Sequence, residues 1–243
     1  VPDLLVREQE VSIPLHAEWL QGAKARNLKY DVKGTFVSIG TSFKNYPDYT
    51  FDNPTVSFNS EESQLISGTT NDEGDASVRI RLNVGATAPG MLLGSFTTKV
   101  YEESGDFSID ADRMLYSPYR RYAGIKSPQK DKEQLNTGTN YTYEVASVDY
   151  LGKPQANTEL DVKVYKVYWY WWWDSNSSGL ANYVSDSYNK PVKTFTVRTD
   201  GDGRGTFQLS FPDKEWGTYF ISVKDKESKH STGVMSYFDW PYN

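Results

Sequence analysis

The 243-residue sequence contains no cysteine. Within these residues, that absence excludes disulfides, zinc–thiolate sites, thiol nucleophiles and internal thioesters. Long apolar runs are also missing, so no segment has the roughly 18 apolar residues that a membrane-spanning helix needs. The opening VPDLLVREQE has neither the pattern of a signal peptide nor that of a membrane span. It begins without Met, and the chain reads as a mature protein or an excised piece of something longer. Clusters of Lys and Arg are missing too. With 26 basic against 32 acidic residues and a net charge of -6, the chain has no basic face with which to neutralise phosphates, which argues against nucleic acid. Helix-favouring runs of Ala, Leu, Glu and Lys are scarce.

Aromatic residues, by contrast, are abundant: 18 Tyr, 11 Phe and 7 Trp. They lean the reading toward strands. The chain is long enough for one large domain or two ordinary ones, and internal repeats favour two. GAKARNLKYDVK (22–33) aligns without gaps to GKPQANTELDVK (152–163). TNDEGDASVRIRL (70–82) matches TDGDGRGTFQLSF (199–211), and GSFTTKVYEESG (94–105) parallels GTYFISVKDKES (217–228). The three blocks recur in the same order.

Each block reads as strand, turn and strand. In SVRIRL, Val78, Ile80 and Leu82 fall on one face and Arg79 and Arg81 on the other; in TFQLSF, Phe207, Leu209 and Phe211 oppose Gln208 and Ser210. One buried and one wet face is the pattern of an antiparallel sandwich sheet. The fold class is therefore all-β, two consecutive antiparallel β-sandwiches, with domains at 1–104 and 105–243 and the boundary at EESGDF. The second copy carries an additional opening strand at RYAGIKS and a polar loop at SPQKDKEQLNTGTN. The first copy has no evident counterpart to that strand apart from VPDLLV. Its N-terminal edge is expected to have been cut off or contributed by a preceding domain, leaving an exposed strand edge.

Candidate chemistry is sparse. TDGDGRG places Asp200 and Asp202 at alternate positions before a glycine, but the fifth and twelfth positions of a calcium loop hold Arg204 and Phe211. A turn is the reading that the Asp, Asn and Gly content supports. The two histidines, His16 in an alternating strand and His230 in the polar stretch KESKHSTG, are expected to be exposed or half-buried. Neither has an identifiable partner for a nucleophile–base pair or a metal site. No pair of carboxylates is singled out, and the Gly-rich stretches lack a phosphate loop's strand-to-helix setting. The reading is of no enzyme, no catalytic residue, no cofactor and no metal.

One stretch remains: KVYWYWWWDSNSSG (166–179), with Trp169, Tyr170, Trp171, Trp172 and Trp173 in succession. Read with period two, both faces of 162–173 turn apolar toward the end. Such a strand is a core strand at a hairpin base, a docking surface for an adjacent domain or partner, or a platform for stacking glycans.

Taken together, the residues resemble the macroglobulin-like domains of bacterial α2-macroglobulins. The resemblance rests on the aromatic stretch Trp169 to Trp173, the turn Thr199 to Gly203, then Trp216-Gly217, Tyr219, Val223, Asp225, His230, Thr232-Gly233 and Trp240. EVSIPLHAEWLQGAKARNLKYDVKG and FKNYPDYTF look like the macroglobulin domain that precedes it. The resemblance implies two seven-stranded antiparallel sandwiches from the N-terminal half of a much larger protease inhibitor, usually lipid-anchored and periplasmic. There a bait segment is cut and conformational collapse, often with a thioester, traps the protease. This chain departs from that pattern in having neither Cys nor a long bait-like segment. The resemblance therefore implies scaffold domains that hold neighbouring domains of the parent and transmit movement after bait cleavage, with target proteases met through the parent. On this reading Trp169 to Trp173 form a domain–domain contact. The alternative is a glycan-binding or adhesive sandwich using Trp171 to Trp173.

Overall fold

A computed structural model describes residues 3–129, 134–168 and 190–241. The chain divides into two compact units, one of Val1–Ile39, Phe58–Ala86 and Met91–Pro118, the other of Gly40–Ser57, Thr87–Gly90 and Tyr119–Asn243. Both are built from strands, as the aromatic and β-branched content dictates, and among the described residues there is no α-helix.

The first unit has seven strands among its described residues: β1 (Leu4–Val6), β2 (Val11–His16), β3 (Lys29–Ser38), β4 (Ser63–Thr69), β5 (Asp75–Ile80), β6 (Leu92–Tyr101) and β7 (Phe107–Ser117). Five form a sheet in the order β1-β7-β6-β3-β4, and β2 pairs with β5 as a separate ribbon. Strict alternation produces the core. Val78, Ile80 and Leu82 are buried while Arg79 and Arg81 are exposed, and across the sandwich Tyr30, Val32, Phe36, Leu92 and Phe96 close the other wall. Tyr116 is fully buried among them, and its hydroxyl donates to Val84 O (2.8 Å) and accepts from Val84 N (3.0 Å). Burial raises its pKa to about 12.

The second unit has eight strands among its described residues: β8 (Arg121–Lys126), β9 (Leu135–Asn136), β10 (Tyr141–Asp149), β11 (Glu159–Val167), β12 (Lys193–Arg198), β13 (Arg204–Leu209), β14 (Gly217–Asp225) and β15 (Ser231–Asp239). They form sheets of order β13-β10-β8 and β12-β11-β14-β15-β9. Val145, Leu160, Val162, Leu209, Ile221, Val223 and Phe238 fill the space between. Phe211 and Tyr219 stack with centroids 3.8 Å apart. On the far side of the five-stranded sheet Tyr165 and Phe220 form a second buried cluster with Val167 and Met235.

Apart from β8, the described strands of the two units repeat: β12-β11-β14-β15-β9 has the order of β4-β3-β6-β7-β1, and β10 with β13 repeats β2 with β5. The turn that opens the second block is reproduced in detail. Thr70 Oγ1 accepts from Leu28 N and donates to Ala25 O; Thr199 Oγ1 accepts from Thr158 N and donates to Gln155 O. Asn71 and Asp200 each accept two backbone N–H groups with the side chain, as Asx turns do. Gly74 and Gly203 have φ of +82° and +69°, and an added Cβ would lie 2.3 Å from Ala17 O and 2.7 Å from Ser147 O. Only glycine fits there.

Three features depart from the sequence reading. The sandwiches are not wholly antiparallel: β1 pairs parallel with β7 and β9 parallel with β15. Leu4–Val6 of VPDLLV form β1, the counterpart of the short β9, whereas RYAGIK forms β8, which has no counterpart among the described residues of the first unit. EESGDF, the boundary expected from the sequence, is the turn of the β6–β7 hairpin, closed by Glu102 N to Asp106 O at 2.7 Å, and the first unit runs on to Pro118.

Candidate functional site

The second unit takes in a segment that lies between β3 and β4 in the chain, residues 40–57. Its side chains explain why it is held there. Tyr46, Tyr49 and Phe51 are buried and pack edge to face, with Phe43 on Phe51 (4.8 Å) and on Tyr122 (5.6 Å). Thr50 exchanges two backbone hydrogen bonds with Ile125, 2.8 and 3.0 Å, and so extends the three-stranded sheet beyond β8. Asp52 closes the segment on itself, its carboxylate accepting from Thr41 N and Thr41 Oγ1. The Arg204 guanidinium sits 4.8 Å above the Tyr46 ring and donates to Asn45 O, while Tyr46 Oη donates to Asp202 O. Thr232 Oγ1 lies within hydrogen-bond distance of both Thr50 O and Asp52 O. An added Cβ on Gly124 would meet the Phe51 ring at 2.5 Å.

Beneath this segment lies a buried polar cluster. Arg121 grips Asp225 through Nε to Oδ2 and Nη2 to Oδ1, both 2.9 Å. Asp225 is fully buried and also accepts from Glu227 N and Ser228 N, so its charge is met by four donors. His230 is likewise fully buried, flanked by the rings of Tyr119 (4.9 Å) and Tyr122 (4.7 Å). Its Nδ1 accepts from Ala123 N at 2.9 Å, which places the proton of the neutral ring on Nε2. The carbonyls of Pro89 and Phe51 favour the protonated ring, but neither meets Nε2 in hydrogen-bonding geometry. Burial dominates and pushes the pKa down to about 4. The expectation of an exposed or half-buried His230 is thereby corrected: the polar letters of KESKHSTG belong to the hairpin tip, and the chain turns His230 inward under two tyrosines.

The chemistry this cluster offers is structural. The His230 lone pair is occupied by a backbone N–H, its ring is closed to solvent, and no nucleophile shares its hydrogen bonds. His16 is exposed, paired to Asp75 Oδ1 at 2.6 Å with Glu18 3.7 Å away. The Asp75 hydrogen bond raises its pKa. Asp200 and Asp202 lie in the turn described above. Among the described residues no group of three or more His, Cys, Asp or Glu side chains is placed to hold a metal, and no helix is long and apolar enough to cross a membrane. Trp169, Tyr170, Trp171, Trp172 and Trp173 lie outside the described residues. Of the other residues that carried the family resemblance, Tyr219, Val223, Asp225, His230 and Thr232 are buried, whereas Trp216 and Trp240 are exposed. Sequence reasoning missed the role of 40–57; its one signal was FKNYPDYTF, a dense aromatic stretch where a connecting loop was due.

Sandwiches of this topology in tandem define the class, and comparison with known proteins assigns the family. Residues 3–107 match the bacterial α2-macroglobulin MG5 domain, and residues 124–240 match bacterial macroglobulin domain 6. The chain belongs to the bacterial macroglobulin family. Among solved structures, trypsin-activated α2-macroglobulin from Escherichia coli superimposes with a TM-score of 0.56 at 16% identity, covering 98% of this chain and 16% of that one. The native conformation of the E. coli protein gives 0.53 at 16% identity, with the same coverage. Salmonella α2-macroglobulin reacted with methylamine gives 0.53 at 17% identity, covering 97% and 16%. At these identities the likeness concerns the fold, and this chain spans about a sixth of the length of those proteins. No curated protein sequence matches it.

Proposed function

We propose that these two domains are non-catalytic scaffold in a bacterial α2-macroglobulin-like protease inhibitor, with the bait segment and any thioester outside this chain. The observation that carries the reading is the tandem match to macroglobulin domains five and six in that order. The chemistry is consistent with it: Asp225 and His230, both fully buried, are engaged by the Arg121 side chain and by backbone N–H groups. On this reading the partners are neighbouring domains of the same parent, and target proteases are met only through the parent. The setting is periplasmic or at the cell envelope, with the parent lipid-anchored. The aromatic run Trp169 to Trp173 is assigned contact with a neighbouring domain on the sequence alone.

The test is trapping by the full-length parent. A stoichiometric amount of trypsin should cut the parent once in a bait segment outside residues 1–243, and the bound trypsin should still hydrolyse a small peptide substrate while losing activity on a large protein. Cleavage within these domains, or trypsin that keeps its full activity on the large substrate, would overturn the proposal.

A further inference from the structure

The first unit's cations are scattered in sequence, and the strand register gathers four of them on one face. Side chains alternate across a strand. Tyr30, Val32 and Phe36 of β3 and Leu92 and Phe96 of β6 enter the core, so their neighbours in each strand point outward. At one end of that outer face the ladders set Leu4, Leu115, Leu93 and Val37 side by side across four strands, with Leu115 44% and Val37 39% exposed. Beyond this aliphatic row lie Arg113, Lys33, Lys99 and Lys29, together with one carboxylate, Asp31, which accepts from Tyr101 Oη at 2.8 Å.

The second unit shows the same frame with its carboxylates engaged. Asp161↔Lys224 stands where Asp31↔Lys99 stands, and Glu159↔Arg198 where Lys29↔Thr69 stands. There Glu159 pairs with both Arg198 and Lys226, and Lys226 reaches Asp161 as well. In the first unit a lysine replaces that glutamate. Among the described residues its ion pairs are those of Arg7, His16 and Lys24, none of them on this face. Lys99 rests on the Phe107 ring, 4.6 Å from its centroid, and has no carboxylate partner.

Four cations against one carboxylate leave this face at +3 (4 − 1), in a chain whose total is -6. Two copies brought together by it would set like charges against each other, so the face is not built for itself. Four cations beside an aliphatic row are no phosphate-tracking stripe. The exposed row points to a protein surface, and the charge asks that surface to be acidic.

We propose that this face docks an acidic surface of another domain of the parent chain. That surface presents an aliphatic side chain to Val37, Leu93 and Leu115, and carboxylates to Arg113 and Lys33. At about 3.4 Å per residue along a strand, the two carboxylates stand about 7 and 14 Å from the aliphatic anchor. The aliphatic contact supplies affinity, and the charges supply register and choice of partner. The source of the occupant rests on the scaffold reading; its chemistry rests on the face itself.

Lysine acylation read by mass spectrometry tests it. In the full-length parent, Lys33 and Lys99 should acylate about tenfold more slowly than in the 243-residue chain, and a zero-length carbodiimide should join Lys99 to a Glu or Asp outside residues 1–243 of the same chain. Lys33→Glu with Arg113→Glu in the parent should return Lys99 to its rate in the 243-residue chain and abolish the cross-link, while leaving the unfolding midpoint of the 243-residue chain unchanged. Equal rates in chain and parent would overturn the proposal. So would protection that survives the double variant, because the cover would then not be acidic, or a cross-link to a second copy, recognised by mixing isotope-labelled and unlabelled parent. Phosphatidylglycerol vesicles that bind the 243-residue chain but not the double variant would assign the face to a lipid surface instead. Trypsin trapping is read separately: a parent that traps with this face left open would overturn the docking and leave the scaffold reading standing.

Discussion

Arg121 and Asp225 face each other fork to fork, two parallel hydrogen bonds of 2.9 Å joining the first residue of β8 to the last of β14. Asp225 is fully buried, so its charge depends on that fork. Arg121→Ala should destabilise the protein by about 3–5 kcal/mol, because it strands a buried carboxylate. Urea denaturation followed by intrinsic fluorescence measures this; a loss below about 1 kcal/mol would show that water or another cation replaces the guanidinium.

His230 makes stability depend on pH. Its folded pKa is about 4 against 6.5 unfolded, so between those values the unfolded chain binds a proton that the folded chain refuses. The unfolding free energy accordingly falls as pH drops from about 6.5 to about 4, by on the order of 3 kcal/mol. His16 acts in the opposite sense: its pKa is raised by Asp75, and the stability it lends below pH 6.5 is lost as pH rises through its folded pKa. Denaturation series for the parent sequence and His230→Gln should differ in slope over the acid range, with the variant flatter.

Gly124 and Phe51 form a steric couple. Gly124→Ala should cost about 1–3 kcal/mol by overpacking, and Phe51→Ala about 3–5 kcal/mol by leaving a cavity. The double variant should lose less than the two singles together, a non-additivity that a thermodynamic cycle reads directly.

Because residues 40–57 supply Tyr46, Tyr49 and Phe51 to the second unit, residues 119–243 expressed alone should lack a cooperative unfolding transition or show one at much lower denaturant. Adding a peptide of residues 40–57 in trans should shift that transition upward. A fragment as stable as its counterpart in the whole chain would remove the segment from the core.

For the aromatic run, replacing Trp171, Trp172 and Trp173 by Ser should leave the unfolding free energy of the 243-residue chain within about 1 kcal/mol of its original value if the run serves a neighbouring domain, while loosening the full-length parent to limited proteolysis. A large loss in the isolated chain would instead make it core, and saccharide-dependent quenching of Trp fluorescence would make it a glycan platform.

Much of this architecture is written in local pattern. SVRIRL and TFQLSF alternate because each strand has one wet face, and the structure buries the expected residues of both. The Thr-Asn and Thr-Asp turns were legible because their mechanism lies within a few residues. What local pattern lacks is the destination of a segment. FKNYPDYTF has no period to say which sandwich its rings enter, and the choice is made by Gly124, Arg204 and Thr232, far along the chain. His230 was hidden for the same reason: its neighbours in sequence are polar, its neighbours in space are Tyr119 and Tyr122. The pairing of Leu4–Val6 with β7 as a parallel edge could not be foreseen from three apolar residues.

The placement of residues 40–57 also sets an order of events on the ribosome. At roughly 5–20 residues per second, the segment emerges on the order of ten seconds or more before Thr232 of β15 exists to complete its seat. For that interval Tyr46, Tyr49 and Phe51 are an aromatic surface without a home, displayed on a nascent chain whose β3–β4 hairpin is already free to form. Synthesis of this protein therefore includes a waiting period in which an unpaired sticky loop is open to holdase chaperones, and slower translation between Pro118 and β14 would lengthen it.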